Sequence, residues 1–281
     1  MAVALGASFG LASTASAAMT VLHSWDFAGT AGTTAPDPTV DTVAGFSLDA
    51  VGSLNHDSAG TGIDFANAGG NLNNFAQNYY ENTTGTIGLT NSAHWGFSAV
   101  VNLNAIPSTS AGIDPAFGGT GVPGTGEDVN GESTVMQIGF TPGTSVMLQT
   151  FNTAGGADGT PNWAIHIPGV VLFSADPTQG GGLTPGVDQH LEVIFDGAWK
   201  LFIDGSEVPL NAAGGFDTVI NPDTGLRIGA SNNGDNVVRG FDGIIRSASI
   251  SEFQEVTVIP EPASMALLGI GGLALLRRRR H

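Results

Sequence analysis

The chain has 281 residues, with 42 glycines, no cysteine and a formal net charge of −17 at pH 7. All but one of its 25 acidic residues precede Pro260, whereas four of its eight basic residues are Arg277, Arg278, Arg279 and Arg280, so the part upstream of Pro260 carries a formal charge of −20. This charge argues against nucleic acid and anionic lipid as partners of that part, because binding them requires lysine and arginine to neutralise phosphates. Without cysteine, disulfides and thiol chemistry are excluded.

The first 18 residues have the pattern of a secretory signal peptide. Residues 2–11 are mildly apolar, and Ala15-Ser16-Ala17 places small residues where signal peptidase requires them. We expect cleavage after Ala17 or Ala18 and therefore export of the protein, although the basic residues that normally precede the apolar stretch are absent.

Short β-rich runs, separated by Gly, Asn, Asp and Pro, recur along the middle of the chain. They predict strands at residues 21–27, 97–103, 133–141, 145–152, 163–173, 190–195, 199–204, 226–229 and 241–250. No segment upstream of the C-terminal tail keeps a helical apolar period for three turns. The pattern therefore indicates one all-β domain, a sandwich or barrel at residues 19–256, with long glycine-rich loops between some of its strands.

Aromatic side chains are the candidate sugar-binding residues of this domain. Tyr79 and Tyr80 are adjacent and flanked by asparagines, and Trp199 follows a tight turn. Aromatic rings with one polar end suit stacking against a sugar, although packing in the interior is the alternative for each of them. Trp25 and Trp95 fall in strand-like runs and are predicted to lie in the core.

The carboxylate pattern argues against a glycan hydrolase. Glu127, Asp128 and Glu132 come nearest to the Glu-x-Asp-x-x-Glu arrangement of glucanases, but the aspartate is one position early and would point to the opposite face of a strand. The histidines lack zinc-ligand spacing, and no serine stands in a Gly-x-Ser-x-Gly motif. We therefore predict no enzymatic activity.

Residues 190–210 predict a three-stranded meander. Apolar and polar residues alternate over 190–195, and the dipeptides Asp196-Gly197 and Asp204-Gly205 permit the positive φ angles of tight turns. The second turn follows the first by only a few residues, so both belong to one sheet.

This meander, with residues 24–29, 94–104 and 226–251, resembles the laminin-G-like, concanavalin A-like domains. The resemblance implies a two-sheet antiparallel jelly roll of the kind found in lectin-like modules. It also implies loop sites for Ca²⁺ formed by Asp and Asn side chains. The chain departs from the family pattern at Arg246, where an acidic residue is often found, so any role of that acid is not carried over.

The turn at residues 231–236 is the candidate calcium site. Oxygen ligands are available from four side chains, Asn232, Asn233, Asp235 and Asn236. The alternative is a polar turn in which Gly234 supplies a left-handed conformation. No other cofactor is predicted.

The C-terminal tail consists of three parts in a fixed order. Pro260-Glu261-Pro262 keeps the backbone extended, as a protease requires of its substrate. Residues 263–276 form an apolar segment that would span about 21 Å as a helix, short of a hydrocarbon core of about 30 Å. The four arginines that follow would remain on the cytoplasmic side.

This order resembles the PEP-CTERM sorting signal of bacteria that make extracellular polysaccharide, over residues 257–281. The resemblance implies recognition of Pro260, Glu261 and Pro262 by a membrane-embedded exosortase. It also implies a single transmembrane helix that holds the precursor in the inner membrane until processing. After processing, the part of the chain upstream of Pro260 would be delivered to the cell surface or extracellular matrix. A plain tail anchor is the alternative, but it would not need the Pro-Glu-Pro tripeptide.

The sequence thus favours an exported, non-catalytic module that binds extracellular polysaccharide. Two alternatives remain: a structural, adhesin-like module without a small ligand and, with less support, a glycan-active hydrolase.

Processing at both ends gives the first testable prediction. The mature protein should begin after Ala17 or Ala18, because signal peptidase cuts after the small-residue motif, and it should end near Pro260. Intact-mass measurement of the protein isolated from its native host checks both ends. A full-length chain that starts at Met1 and ends at His281 would contradict the prediction.

Overall fold

The computed structural model describes residues 18–65, 78–90, 92–105, 133–140, 145–152, 161–167, 170–175, 182–212, 220, 222, 224–233, 236–238 and 240–254. Residues 19–253 belong to one compact unit. The strands are β1 (Ala18–Asp26), β2 (Thr39–Val40), β3 (Ser47–Val51), β4 (Asn55–His56), β5 (Ile63–Asp64), β6 (Tyr79–Thr86), β7 (Trp95–Leu103), β8 (Ser133–Ile138), β9 (Val146–Asn152), β10 (Pro161–Ile167), β11 (Val170–Ala175), β12 (Asp188–Phe195), β13 (Trp199–Ile203), β14 (Ser206–Val208), β15 (Leu210–Ala212), β16 (Thr224–Ile228), β17 (Ser231–Asn233), β18 (Asn236–Val238) and β19 (Gly243–Gln254).

The strands form two large antiparallel sheets and one small hairpin. The first sheet has the order β14-β13-β12-β7-β19-β5-β4, with β1 also paired to β19. The second has the order β15-β11-β10-β9-β8-β16-β6-β3-β2, and β17 pairs with β18 alone. The described part of the chain contains no helix. The prediction of an all-β sandwich of two antiparallel sheets is therefore confirmed.

The core consists of the side chains that alternate inward along the strands of both sheets. On β7 every second residue is nearly inaccessible, from Trp95 and Phe97 to Leu103. The predicted core positions of Trp25 and Trp95 are confirmed, with exposed fractions of 1% and 0%. This alternation follows from the two-residue period of a strand, which sends successive side chains to opposite faces.

The predicted meander is also present. Phe195 pairs with Trp199 around the first turn, and Ile203 pairs with Ser206 around the second. Asp204 and Gly205 both have positive φ, 51° and 77°, as a two-residue hairpin turn of the primed class requires.

One strand prediction needs correction. The run at residues 163–173 is not one strand, since β10 ends at Ile167 and pairs antiparallel with β11, which begins at Val170. In the sequence the dipeptide Pro168-Gly169, a typical turn signal, separates them.

The segment that contains Tyr79 and Tyr80, for which no strand was predicted, is strand β6, which is hydrogen-bonded to β16 on one side and β3 on the other.

Residues 1–17 of the predicted signal peptide, which covers residues 1–18, and the whole predicted sorting signal at residues 257–281 lie outside the described residues. Within the described part of the chain, no helix combines the length and apolarity needed to cross a bilayer.

Asp41 anchors the segment after β2 to β1. Its carboxylate accepts hydrogen bonds from the backbone N–H groups of Val43, Ala44 and Phe46 at 2.5–2.6 Å, and Oδ2 lies 3.0 Å from Nδ1 of the buried His23. Burial raises the pKa of this carboxyl group. The hydrogen bonds from His23 and the three N–H groups outweigh burial, so the pKa lies below the ordinary value of 3.8.

Asp41 should therefore make the fold sensitive to acid. Because its folded-state pKa lies below 3.8, the carboxylate contributes stability that is present above the ordinary pKa and is lost as the pH falls through the lower, folded-state pKa. Asp41→Asn keeps only one acceptor oxygen, so we expect the free energy of unfolding at neutral pH to fall by about 2 kcal/mol. We also expect a flatter loss of stability in acid than in the wild type, measured by thermal unfolding from neutral pH down to about pH 2.5.

The exposed Asp26, whose carboxylate accepts one hydrogen bond from the N–H of Ala28 at 3.0 Å, supplies the matched control Asp26→Asn. An equal effect of the two substitutions would show that Asp41 has no special part in acid stability.

Candidate functional site

The second sheet has one face in the core and a second face that is polar. On β9, Val146 and Leu148 belong to the core cluster, so Gln149 between Leu148 and Thr150 points to the other face. On β10, Trp163 and Ile165 are in the core, so Asn162 lies on that same other face. We call this surface the polar face. Its described members used below are Tyr79, Glu81, Thr134, Gln137, Gln149, Asn162 and Arg227.

Cross-strand pairing arranges the polar face in two adjacent rows. In the first row Glu81 pairs with Arg227, Arg227 with Gln137, and Gln137 with Met147. In the second row Thr134 pairs with Gln149, which pairs with the small Ala164. Directly paired residues on one face have Cβ atoms about 4.5–5.5 Å apart, so each row forms a continuous line of side chains across several strands.

The polar face is buried despite its composition. Thr134 and Gln149 are 0% exposed, and Gln137 and Asn162 are each 1% exposed. Two of these side chains have hydrogen-bond partners: Thr134 Oγ1 donates to Ser231 Oγ at 3.1 Å, and Gln137 Nε2 donates to the Gly139 carbonyl at 3.2 Å.

The side-chain amides of Gln149 and Asn162, in contrast, lack hydrogen-bond partners. Both Oε1 and Nε2 of Gln149, and Oδ1 of Asn162, are buried without a hydrogen-bond partner among the described residues. A buried amide without partners costs about 1–3 kcal/mol relative to its hydrated state. Such groups are rare in native proteins, and each of them calls for an explanation, such as an ordered water or a functional role.

Arg227 lies on the same face, on β16. Its Nη2 and Nε donate to Glu81 Oε2 at 2.6 and 3.2 Å, while its buried Nη1 has no partner in the described part of the chain. The guanidinium contacts two rings, with Cζ 5.4 Å from the centroid of Tyr79 and 4.5 Å from that of Phe140. These contacts, favourable in their own right, hold the guanidinium plane in place and keep its charge neutralised by Glu81.

One feature of the backbone, the conformation of Gly225, makes this arrangement possible. Gly225 has a φ of +89°, and a Cβ at this position would lie 2.6 Å from the ring of Phe140, so only glycine lets that ring reach Arg227. Burial raises the pKa of the Tyr79 hydroxyl and the nearby Glu81 carboxylate raises it further, outweighing the opposite effect of Arg227. Tyr79 therefore remains a neutral phenol.

The three candidate aromatic residues, Tyr79, Tyr80 and Trp199, do not lie together. Tyr79 is on the polar face beside Arg227, but the next residue, Tyr80, points into the core, since successive residues of a strand face opposite sides. Tyr80 is 0% exposed, and its hydroxyl donates to the Pro36 carbonyl at 2.9 Å.

Trp199 is 2% exposed in the core of the other sheet, against Trp95 and Phe195. It borders a surface cavity of about 320 Å³ together with Lys200, Glu207, Val208, Pro209 and Leu210. The alternative of packing in the interior therefore holds for Tyr80 and Trp199, while Tyr79 is 7% exposed on the polar face; sugar binding by these residues stays a prediction.

The predicted calcium turn corresponds to the β17–β18 hairpin. Asn232 pairs with Val237 and Asn233 with Asn236, while Asp235 lies outside the described residues. The hairpin begins beside the polar face, since Ser231 accepts the hydrogen bond from Thr134. Among the described residues, no group of three or more His, Asp or Glu side chains could hold a metal ion. Calcium binding by this turn stays a prediction.

Sequence reasoning missed Gln149, Asn162 and Arg227. The alternation in residues 145–152 places Gln149 opposite the apolar residues, which by itself indicates an ordinary solvent-facing position. Its burial depends on the assembled sheet. The available signal was the polar side chains that recur in neighbouring predicted strands, at Gln137, Gln149 and Arg227.

Comparison with known proteins identifies the C-terminal motif. Residues 258–280 match the PEP-CTERM protein-sorting motif. The match includes the predicted processing residues, namely Pro260, Glu261, Pro262, Arg277, Arg278, Arg279 and Arg280. The protein therefore carries the sorting signal of exported, surface-directed proteins. No curated protein gives a significant sequence match.

Solved structures with a related fold share little sequence with this chain. Domain 4 of AbnA, an extracellular arabinanase from Geobacillus stearothermophilus, solved in complex with arabinotriose, is 14% identical with a TM-score of 0.45; the match covers 84% of this chain and 93% of that domain. Domains LG4-5 of the mouse laminin α1 chain are 10% identical with a TM-score of 0.41, over 76% of this chain and 46% of theirs. The CBM40 of a Ruminococcus gnavus sialidase, bound to α2,3-sialyllactose, is 10% identical with a TM-score of 0.37, over 56% and 75%.

Because the buried amide of Gln149 has no partner, replacing Gln149 with an apolar residue should increase stability. Gln149→Leu replaces two unpaired buried polar atoms with apolar ones of similar volume, so we expect the free energy of unfolding to rise by about 1 kcal/mol. Urea unfolding of the two proteins measures the difference.

Gln189 supplies the matched control, since it is also buried but fully bonded. Its Oε1 accepts from Trp163 Nε1 at 3.1 Å and from the Thr184 N–H at 3.2 Å, and its Nε2 donates to the Gly182 carbonyl at 3.2 Å. Gln189→Leu should lower the free energy of unfolding by about 1–3 kcal/mol. A comparable loss of stability for Gln149→Leu would show that Gln149 is bonded in solution.

Proposed function

We propose that the protein is an exported glycan-binding module that takes its ligand on the polar face of the second sheet. The observation that carries this proposal is that Gln149, Asn162 and Arg227 each place a buried, unpaired polar atom on the same face of one sheet. Sugar hydroxyl groups both donate and accept hydrogen bonds, so they can satisfy amide oxygen, amide nitrogen and guanidinium nitrogen together. Apolar atoms beside these groups, from Tyr79 and Met147, suit the C–H faces of a sugar ring.

The C-terminal motif supports the cellular setting of this role. A protein sorted to the cell surface meets extracellular polysaccharide, whose many hydroxyl groups can bond the unpaired atoms of the polar face. In this proposal exosortase removes the apolar tail, which anchors the precursor only transiently, and signal peptidase removes the N-terminal segment. The folded body then acts at the surface or in the extracellular matrix.

The module is proposed to bind without catalysis. Two described carboxylates of the polar face, Asp49 and Glu81, are cross-strand partners. Glycoside hydrolysis needs one carboxyl group to be a proton donor and the other a nucleophile or base. The Glu81 carboxylate is already engaged in an ion pair with Arg227 at 2.6 Å. No release of reducing sugar is therefore expected from a polysaccharide that the protein retains.

The proposal is tested by affinity electrophoresis and calorimetry with the full chain in mild detergent. We expect the wild type to be retained by at least one polysaccharide, and Gln149→Leu to weaken the affinity by about tenfold, the equivalent of about one buried hydrogen bond. The control is Glu192→Gln on β12 of the first sheet, which should bind as the wild type does.

Either of two results would reject the proposal. One is the absence of retention on any polysaccharide, which favours a purely structural module. The other is an affinity that Gln149→Leu leaves unchanged, which places the ligand elsewhere on the domain.

A further inference from the structure

A surface cavity lies at the edge of the first sheet, where the chain leaves β14 and crosses to β15 in the second sheet. Its volume is about 320 Å³, near the lower end of the range for small-ligand sites. Strand β14 has only three residues, and the next residue, Pro209, has no N–H to offer to a further strand. The cavity therefore suits a compact ligand better than an extended peptide that would add to the sheet.

Glu207 leaves the cavity with one unbalanced negative charge. The other two charges at this place balance each other, because Lys200 Nζ donates to Asp196 Oδ2 at 2.7 Å. Glu207 is exposed, and its carboxylate has no ion pair or hydrogen bond among the described residues. The part of the chain upstream of Pro260, with its formal charge of −20, strengthens the local field in the same sense. A cationic ligand is therefore favoured at this cavity.

The half-buried side chain of Phe202 stands beside Glu207, next to the cavity. These two residues are direct cross-strand partners on β13 and β14, so their Cβ atoms lie about 4.5–5.5 Å apart on one face of the sheet. Lys200, two residues earlier on β13, occupies the same face, whereas Trp199 and Leu201 are buried on the other. A carboxylate together with an aromatic ring is suited to an ammonium group, because ion pairing and the cation–π attraction act together.

From the cavity, its charge and the neighbouring ring, we infer that the protein has a second binding site, separate from the polar face, for amino sugars that carry a free amine. The ammonium group of such a sugar pairs with the Glu207 carboxylate and lies against Phe202. A ring hydroxyl accepts a hydrogen bond from Lys200, and the C–H groups of the ring pack against Pro209 and Leu210. A lysine side chain of a peptide offers the same ammonium group but no hydroxyl for Lys200, so it matches the site less well.

Oligosaccharides of equal length that differ only in acetylation test the inference. The probes are the β-linked tetramer of glucosamine and its fully N-acetylated form, measured by calorimetry with the full wild-type chain in mild detergent. We expect the glucosamine tetramer to bind at least about threefold more tightly at low salt, the equivalent of one exposed ion pair. The difference should disappear at high salt, because exposed charges are screened. In NMR spectra, the indole N–H signal of Trp199, which lines the cavity, should shift on binding.

Two variants locate the ligand. Glu207→Gln keeps the size of the side chain but removes its charge, so the affinity for the glucosamine tetramer should fall about threefold. Phe202→Leu removes the aromatic ring but keeps an apolar side chain, and a loss of about twofold to threefold is expected. The matched control is Asp26→Asn, an equal loss of charge at an exposed position of β1 outside the cavity, which should bind as the wild type does. Gln149→Leu, on the polar face of the other sheet, should also leave this affinity unchanged.

The outcomes separate this site from the proposed function. Equal binding of the two tetramers by the wild type, or no binding of either, would overturn the amino-sugar site and leave the polar face to its own test with polysaccharides. A loss that appears with Gln149→Leu and not with Glu207→Gln would place the ligand on the polar face, which supports the proposed function and overturns the second site.

Two further results would overturn the inference. An equal loss for Glu207→Gln and Asp26→Asn would assign binding to overall charge. A tetralysine peptide that binds as tightly as the glucosamine tetramer would overturn the assignment to a sugar. If either variant at the cavity does not fold, the comparison of the two tetramers, its salt dependence and the Trp199 signal of the wild type still decide.

Discussion

The second sheet buries both of its faces, and this constraint governs the rest of the molecule. One face follows the usual rule for a sandwich, because Leu148, Ile165 and Ile228 are part of the core. The other face buries side chains that need hydrogen bonds. Thr134 and Gln137 obtain them from the protein, whereas Gln149 does not. The fold therefore holds polar groups in place at a cost in stability, which is typical of a binding site.

Pairing of basic with acidic side chains is the second general feature of the part of the chain that the structure describes. Each of its described basic side chains has an acidic partner: Lys200 contacts Asp196 at 2.7 Å, Arg227 contacts Glu81 at 2.6 Å, and Arg246 contacts Asp188 at 2.7 Å and Asp57 at 3.5 Å. Arg246 stands where the laminin-G-like pattern often has an acid. The structure gives it a different role, since it joins β19 to Asp188 at the start of β12 and to the turn that contains Asp57.

Local patterns predicted the parts of the fold that local interactions determine. The meander at residues 190–210 was recognised because its alternation and its Asp-Gly turns lie within one short stretch. The sorting motif was recognised because its three parts are contiguous. Strand β6 was missed, since Glu81, Asn82 and Gly85 interrupt its tyrosines and threonines. It is stabilised by β3 and β16, which are distant in sequence.

The candidate site could not be predicted for the same physical reason. Gln149, Asn162 and Arg227 lie on β9, β10 and β16, and β8 stands between β9 and β16 in the second sheet. These side chains share a face only after the sheet has assembled, and whether a polar side chain on a strand is bonded depends on that assembly. Alternation predicted which face Gln149 occupies, but not that this face would be buried. Tyr79 and Tyr80 lie on opposite sides of the sheet because adjacent strand residues cannot share a face.

We propose that the amide of Gln149 lacks a partner in the protein and gains one from a glycan. Side-chain amide resonances of the isotopically labelled full chain measure this directly. The proposal predicts that the Gln149 NH₂ signals shift and exchange more slowly with solvent when a retained glycan is added, while the fully bonded Gln189 amide remains unchanged. Gln149 signals that do not respond, while residues of the first sheet do, would contradict it.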